Sequence, residues 1–198
     1  LTTDLGTVLF RENKSSFDKY IYVVDSRQEN HFKQLFKTVK HFGLSNSDFF
    51  HVGFGTINGS DNKPFKTRDG GVYKLNLLFE DIKEKLKKYN SDDQVLNTLT
   101  NTVLTYSDLL PNRNQNYIFD VDKFTDINGK TGIYIQYAQV RARKLLDNST
   151  MPGSYDTNFE INNEERNLLL LITKFDYFFN MSLTNMEPHH LAEYLFSL

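Results

Sequence analysis

The feature that most limits how this chain can fold is a strand-like run, an amphipathic helix and a second strand-like run, in that order. Tyr20 to Val24 (YIYVV) is β-branched and aromatic, is stopped by Asp25-Ser26, and reads as a buried strand. In HFKQLFKTVKHF, Phe32, Leu35, Phe36 and Val39 recur at helical spacing while Lys33, Lys37 and Lys40 fall outside that stripe, and Gly43 supplies a stop. Phe49 to Ile57 is the second strand-like run. It carries Gly53 and Gly55, where a side chain would keep a ligand away from the backbone. Two such strands about one helix suggest a parallel sheet and hence an α/β chain.

Beyond that unit the pattern becomes helical. NGSDNKPFKTRDGG is polar, glycine-flanked and basic, so it reads as a loop. Val72 to Tyr89 is helical in its second half, and Asp92 to Leu110 gives another helix before Pro111. The character changes near Gly129-Lys130-Thr131-Gly132, which sets an expected boundary between a domain at 1–129 and a second at 130–198. Ile133 to Leu146 forms one helix, and a loop containing Asn148, Pro152 and Gly153 follows. A helix from Glu164 to Phe179 then stacks Leu168, Leu171, Ile172, Phe175 and Phe179 on one face, and Glu187 to Leu198 starts a third. A helical pair with a broken third is an incomplete bundle, so apolar surface is expected to be exposed where it stops. The chain starts at Leu1 without a methionine and ends inside an apolar stretch, so it is expected to be cut at both ends.

Composition narrows the function classes. A chain of 198 residues can bury one sizeable core or two small ones. A formal charge of -2 provides no overall basic field, so any nucleic-acid contact must come from a local patch. With no cysteine there are no disulfides or thiolate metal sites, and a reducing compartment, the cytoplasm, is the expectation. No apolar run approaches the roughly 20 residues that cross a bilayer.

Three stretches, in order, resemble the arginyl-tRNA synthetase family: IYVVDSRQENH at 21–31, HVGFG with KPFKTRDGG at 51–71, and TGIYIQYAQVRARKLL at 131–146, joined by YIFD at 117–120. The DNKPFKTRDGG form resembles its bacterial branch. The resemblance implies a two-step ligase, in which arginine attacks the α-phosphate of ATP and the arginyl group then passes to the terminal adenosine of tRNA. It implies a partial Rossmann-like parallel-sheet catalytic domain, with ligands at the strand carboxyl ends, followed by part of an all-α helical-bundle anticodon-binding domain. ATP with Mg2+, L-arginine and tRNA-Arg are the implied substrates and partners, Mg2+ arriving with ATP. The intact enzyme is expected to be a cytoplasmic monomer, and this stretch, lacking the HIGH motif, to be inactive alone. The alternative is a non-catalytic paralogue that binds arginine or tRNA.

Carried over by position, Asp4 in LTTDLG faces the substrate guanidinium, a pairing suited to charge-assisted hydrogen bonds. Read without the family, it is a helix cap behind Thr2-Thr3. Gln28 is a second arginine-pocket residue, and His31, at the first turn of the helix, is open between a capping or core-edge role and a substrate role. His51, Gly53 and Gly55 lie along the segment on which ATP's adenosine is laid, with Phe54 in the core. FKTRDGG occupies the place of the class I loop usually written KMSKS, but Thr67 stands where its second lysine would be. Lys63, Lys66 and Arg68 are therefore the cations expected to supply a contact to the β or γ phosphate. Tyr134, Tyr137 and Arg141 share one helix face, a platform for stacking bases and meeting phosphate, with Arg143 and Lys144 nearby. No metal site is expected, because His189 and His190 are adjacent, point different ways on a helix and have no cysteine partners.

Overall fold

Helix α1 (Thr2–Lys14), strand β1 (Lys19–Asp25), helix α2 (Glu29–His41) and strand β2 (Asp48–Phe54) build the first of two compact units, Leu1–Thr56 with Arg113–Tyr117. A computed structural model describes residues 1–15, 17–59, 63, 74–150 and 160–198. The expected parallel pairing is present: β1 runs beside β2 from Lys19 opposite Asp48 to Asp25 opposite Phe54. A 3-10 turn at Ser26–Gln28 links β1 to α2. The apolar stripe of α2 makes the core, with Phe32, Leu35 and Val39 buried against Val8 of α1 and packed by Tyr22, Val24, Phe36 and Phe49. Each such side chain withdrawn from water stabilises the unit by about 1.5–3 kcal/mol. Gly43 ends α2 at φ +58, a conformation that suits a residue without Cβ, and the Leu44 N–H returns to the Val39 carbonyl at 3.0 Å.

Strand β1 departs from the expected burial. Tyr20 is buried and Tyr22 and Val24 are half-buried, but Ile21 and Val23 are 53% and 64% exposed, so only one face of the strand is covered. A polar tie secures α1 on the covered side, where the Ser45 hydroxyl donates to the Glu12 carboxylate at 2.7 Å. Burial pushes the Tyr20 phenol up to about 12, and Glu12 adds to the rise.

The second unit comprises Ile57–Asn112 and Ile118–Leu198, and holds helices α3 (Leu75–Leu86), α4 (Asp93–Leu109), α5 (Val121–Phe124), α6 (Gly132–Asp147), α7 (Asn163–Thr173), α8 (Phe175–Asn185) and α9 (His189–Ser197). Two-residue strands stand at Ile57–Asn58 and Tyr117–Ile118. Helix α4 is the spine. The Asp92 carboxylate caps it by accepting from Val95 N–H at 2.9 Å, and Leu96, Thr100, Val103, Tyr106 and Ser107 are buried along one side. Ile82 and Leu86 bury the inner face of α3. Thr131 caps α6, taking Tyr134 N–H at 3.2 Å, and Gly132 lies so close to α4 that a Cβ would meet the Thr102 carbonyl oxygen at 2.7 Å. Helix α9 seats through the Tyr106 hydroxyl, which donates to the Ala192 carbonyl at 3.0 Å. The expected boundary after residue 129 therefore falls inside this unit.

The single helix expected over 164–179 is two helices. They part at Lys174, whose N–H turns back to the Leu171 carbonyl at 3.0 Å; that same oxygen accepts the Tyr194 hydroxyl of α9 at 3.0 Å. The stripe lies open, as an incomplete bundle leads one to expect: Leu168, Ile172, Phe175 and Phe179 are all exposed and only Leu171 is half-buried. No helix among the described residues is long and apolar enough to cross a membrane.

Because the Cβ of Gly132→Ala must displace α4 backbone, we predict a loss of about 1–3 kcal/mol, despite alanine's better helix propensity. Hydrogen exchange of α4 and α6 amides in the whole protein reads it, and slower exchange in the variant would refute the clash.

Candidate functional site

The parallel register sets the carboxyl ends of β1 and β2 side by side, and four of the carried-over positions gather around them. Asp25, the last residue of β1, accepts from Arg27 N–H at 2.8 Å and from its guanidinium at 2.9 and 2.5 Å. Those bonds hold the Asp25 carboxyl down at about 2 and bend the chain through Ser26–Gln28 into α2. Gln28 is the exposed residue before the first turn of α2, with no side-chain cap bond. His31, in that first turn, places Nε2 3.1 Å from Oδ2 of Asp4, in the first turn of α1. Asp4 is therefore not a helix cap: Leu1 holds that position and makes no side-chain cap bond. Burial pushes the Asp4 carboxyl up, and the hydrogen bond to His31 pulls it down. His31 meets the ring of Phe32 edge-on at 5.3 Å, so a carboxylate and an imidazole are presented together at the edge of the α2 core.

On β2, His51 stands opposite Tyr22 in the ladder, with its ring 5.7 Å from that of Phe32 and Nε2 buried without a hydrogen-bond partner. Both glycines stand where the chain itself comes close. A Cβ on Gly53 would meet His51 Cε1 at 2.9 Å and Ser26 Cα at 3.2 Å; one on Gly55 would meet the Gln115 carbonyl oxygen at 2.4 Å. Neighbouring protein atoms occupy the direction in which each side chain would point. The segment responsible was not singled out in the sequence. Arg113 donates to the Gly53 carbonyl at 2.6 Å, its own carbonyl accepts Gly55 N–H at 2.7 Å, and the Asn116 side chain accepts Thr56 N–H at 2.8 Å. Its only sequence signal is the polar run NRNQN behind Pro111. Phe54, expected in the core, is 42% exposed.

Of the loop cations, Lys63 is exposed and its carbonyl accepts Gly59 N–H at 3.1 Å. Lys66, Thr67 and Arg68 lie outside the described residues.

In the second unit, Tyr134, Tyr137 and Arg141 do share a face of α6. Tyr137 is 47% exposed and carries the Arg141 guanidinium over its ring at 5.6 Å, while Tyr134 packs on Phe196 at 5.2 Å and is only partly available. Arg143 and Lys144 are exposed on the following turn. His189 and His190 do not point apart: their ring centroids are 4.0 Å apart, both are half-buried, and His190 Nε2 lies 3.1 Å from the Glu187 carboxylate.

Two outcomes follow from this geometry. Protonating Asp25 is harder in the folded chain than in the unfolded one, so its contribution is present above the unfolded value near 3.8 and is lost as pH falls through about 2. Asp25→Asn should therefore melt below the parent at neutral pH and converge with it near pH 2 in a thermal-melt series; a constant gap would exclude the ion pair. Gly55→Ala should loosen the 113–116 segment, detected as faster amide exchange at Gly55 and Thr56.

Residues 1–121 match the family model described as tRNA synthetases class I (R), catalytic domain, and residues 135–198 match the DALR anticodon binding domain. Over its whole length the chain is 33% identical to the arginine-tRNA ligase of Agathobacter rectalis and 36% identical to that of Francisella tularensis, spanning 37% and 36% of those proteins. Among solved structures, arginyl-tRNA synthetase from Plasmodium falciparum superposes with a TM-score of 0.82 at 31% identity, covering 99% of this chain and 35% of that one. The Thermus thermophilus enzyme shares the fold at TM-score 0.75 and 20% identity, over 91% and 32% of the two chains.

Proposed function

The chain belongs to the class I (R) tRNA synthetases, and from that premise we propose that the protein containing it is an arginine-tRNA ligase, to which this stretch contributes part of the catalytic domain and part of an anticodon-binding domain. In the first step an arginine carboxylate oxygen attacks the α-phosphorus of ATP, and the bond to pyrophosphate breaks. In the second, a ribose hydroxyl of the terminal tRNA adenosine attacks the acyl carbon and AMP leaves. Most of the acceleration is positional and electrostatic.

The observation that carries this reading is that Gln28 and His31, with Asp4 bonded to His31, follow the carboxyl end of β1 while Gly53 stands at the matching end of β2, where open α/β sheets take their ligands. Asp4 is assigned to the substrate guanidinium. An aspartate carboxylate is charged at neutral pH, and His31 occupies one of its oxygens while leaving acceptor capacity for a planar donor. Gln28 orients the same group without adding charge. His51, Gly53 and Gly55 form the adenosine side; there the glycines act by letting Ser26 and Gln115 close in, which shapes the strand end. One of Lys63, Lys66 and Arg68 meets the β or γ phosphate in place of the lysine that Thr67 replaces. Mg2+ enters with ATP as part of the substrate, as magnesium generally does in nucleotide sites. Tyr137 with Arg141 is the stacking and phosphate-facing pair toward tRNA-Arg, and Tyr134 supports it from Phe196. The domain boundary near residue 130, a cytoplasmic setting and a monomeric intact enzyme belong to the same reading.

Charging of tRNA by the whole protein tests it, with lysine and glutamine as competing amino acids. Only arginine should be transferred. Asp4→Asn should raise KM for arginine about 10–100-fold, the equivalent of one lost charge-assisted hydrogen bond at about 1.5–3 kcal/mol. Tyr137→Ala combined with Arg141→Ala should raise KM for tRNA and leave KM for arginine unchanged. Arginine binding with no charging would replace the ligase by a non-catalytic sensor.

A further inference from the structure

Helix α9 opens with a cluster that the proposed ligase reaction does not use. Among the described residues, Glu187, His189 and His190 each offer a ligand atom, and these atoms all lie within 4.8 Å of one another. The backbone holds them there. Helix α8 ends at Met186 in the left-handed conformation (φ 54), Glu187 N–H returns to the Ser182 carbonyl at 2.9 Å, and Pro188 leads into α9 with φ -63. That turn sets Glu187 beside the start of α9, whose first two residues carry imidazoles only 4.0 Å apart between ring centroids.

We propose that Glu187, His189 and His190 form a site for Zn2+. Two imidazoles and one carboxylate are a borderline-soft set that suits zinc and ill suits Mg2+ or Ca2+, which take mainly oxygen ligands. Around zinc at roughly 2.0–2.2 Å per bond, tetrahedral donors stand about 3.4 Å apart, so a spread of up to 4.8 Å closes by side-chain rotation with the turn unchanged. His190 Nε2 already lies 3.1 Å from the Glu187 carboxylate, so the ion would displace a shared proton. The positive end of α9 opposes a cation, and the Glu187 charge offsets it. Three protein donors leave a fourth position for water or an external ligand. Bound zinc would clamp the α8–α9 turn, and with it the seat of Tyr194 on the Leu171 carbonyl and of Tyr106 on the Ala192 carbonyl.

The test is a Co2+ titration of the whole protein, followed by visible absorption and competed with Zn2+, beside equilibrium dialysis with zinc and with excess Mg2+. One equivalent of zinc should bind at micromolar concentration in the presence of Mg2+, and Co2+ should give the intense visible bands of a four-coordinate site. His190→Gln and Glu187→Gln should each weaken binding about tenfold or more, with far-UV circular dichroism and melting in chelator unchanged. No stoichiometric binding overturns the proposal, as does binding that either variant leaves intact, since the ion would then lie elsewhere. If His190→Gln melts early in chelator, the Glu187→Gln titration decides alone.

Discussion

Everything in the first unit depends on the parallel ladder between β1 and β2. A parallel neighbour requires the chain to cross back over the sheet before it pairs, and here α2 is that crossover, its apolar stripe serving as the core. The same constraint puts both carboxyl ends at one edge. Asp25 and Phe54 finish the ladder together, so the turn that follows β1 and the Gly53-Phe54 end of β2 become neighbours without being close in sequence. The Arg27–Asp25 pair then bends the chain sharply enough that α2 begins within four residues of the strand, placing Gln28 and His31 at that edge. Helix α1 contributes Asp4 through one hydrogen bond across 27 positions.

The second unit is organised differently. Helix α4 collects α3, α6 and α9 on its buried side, and polar contacts fix the angles: a threonine cap on α6, a glycine pressed against a carbonyl, and two tyrosine hydroxyls that reach backbone oxygens on other helices. Burial pushes the Tyr106 phenol up to about 12, with Glu193 adding to it, so that hydroxyl stays a donor across the accessible pH range. The α6 surface beyond its first turn stays open, leaving Tyr137 and Arg141 in contact with each other and with solvent.

Periodicity made β1, α2, β2, α4 and α6 legible to within two or three residues at most ends, because each has a strong apolar repeat and a recognisable stop. It failed where a distant group decides a local outcome. Nothing between Glu164 and Phe179 announces a break at Lys174, since the carbonyl that turns there is claimed by Tyr194 from α9. The apolar stripe of that segment was legible, and so was its exposure, because too few helices follow to cover it. Gly53 and Gly55 were legible as positions needing no side chain, while the chain atoms that crowd them, in His51, Ser26 and Gln115, were not. Arg113 and Asn116 close the strand end from 60 positions away and carry no motif.

By itself the sequence determined the element types, the parallel strand pair, the family resemblance and the residue types offered at each candidate position, because these follow from local propensity, hydrophobic period and motif. Tertiary structure alone decided which groups meet. His31 joins Asp4 because two helices pack through Val8, Phe32 and Leu35, and Glu187 meets His190 because a left-handed Met186 turns the chain between α8 and α9. Such meetings depend on directions in space accumulated over many residues, which a one-dimensional repeat does not carry.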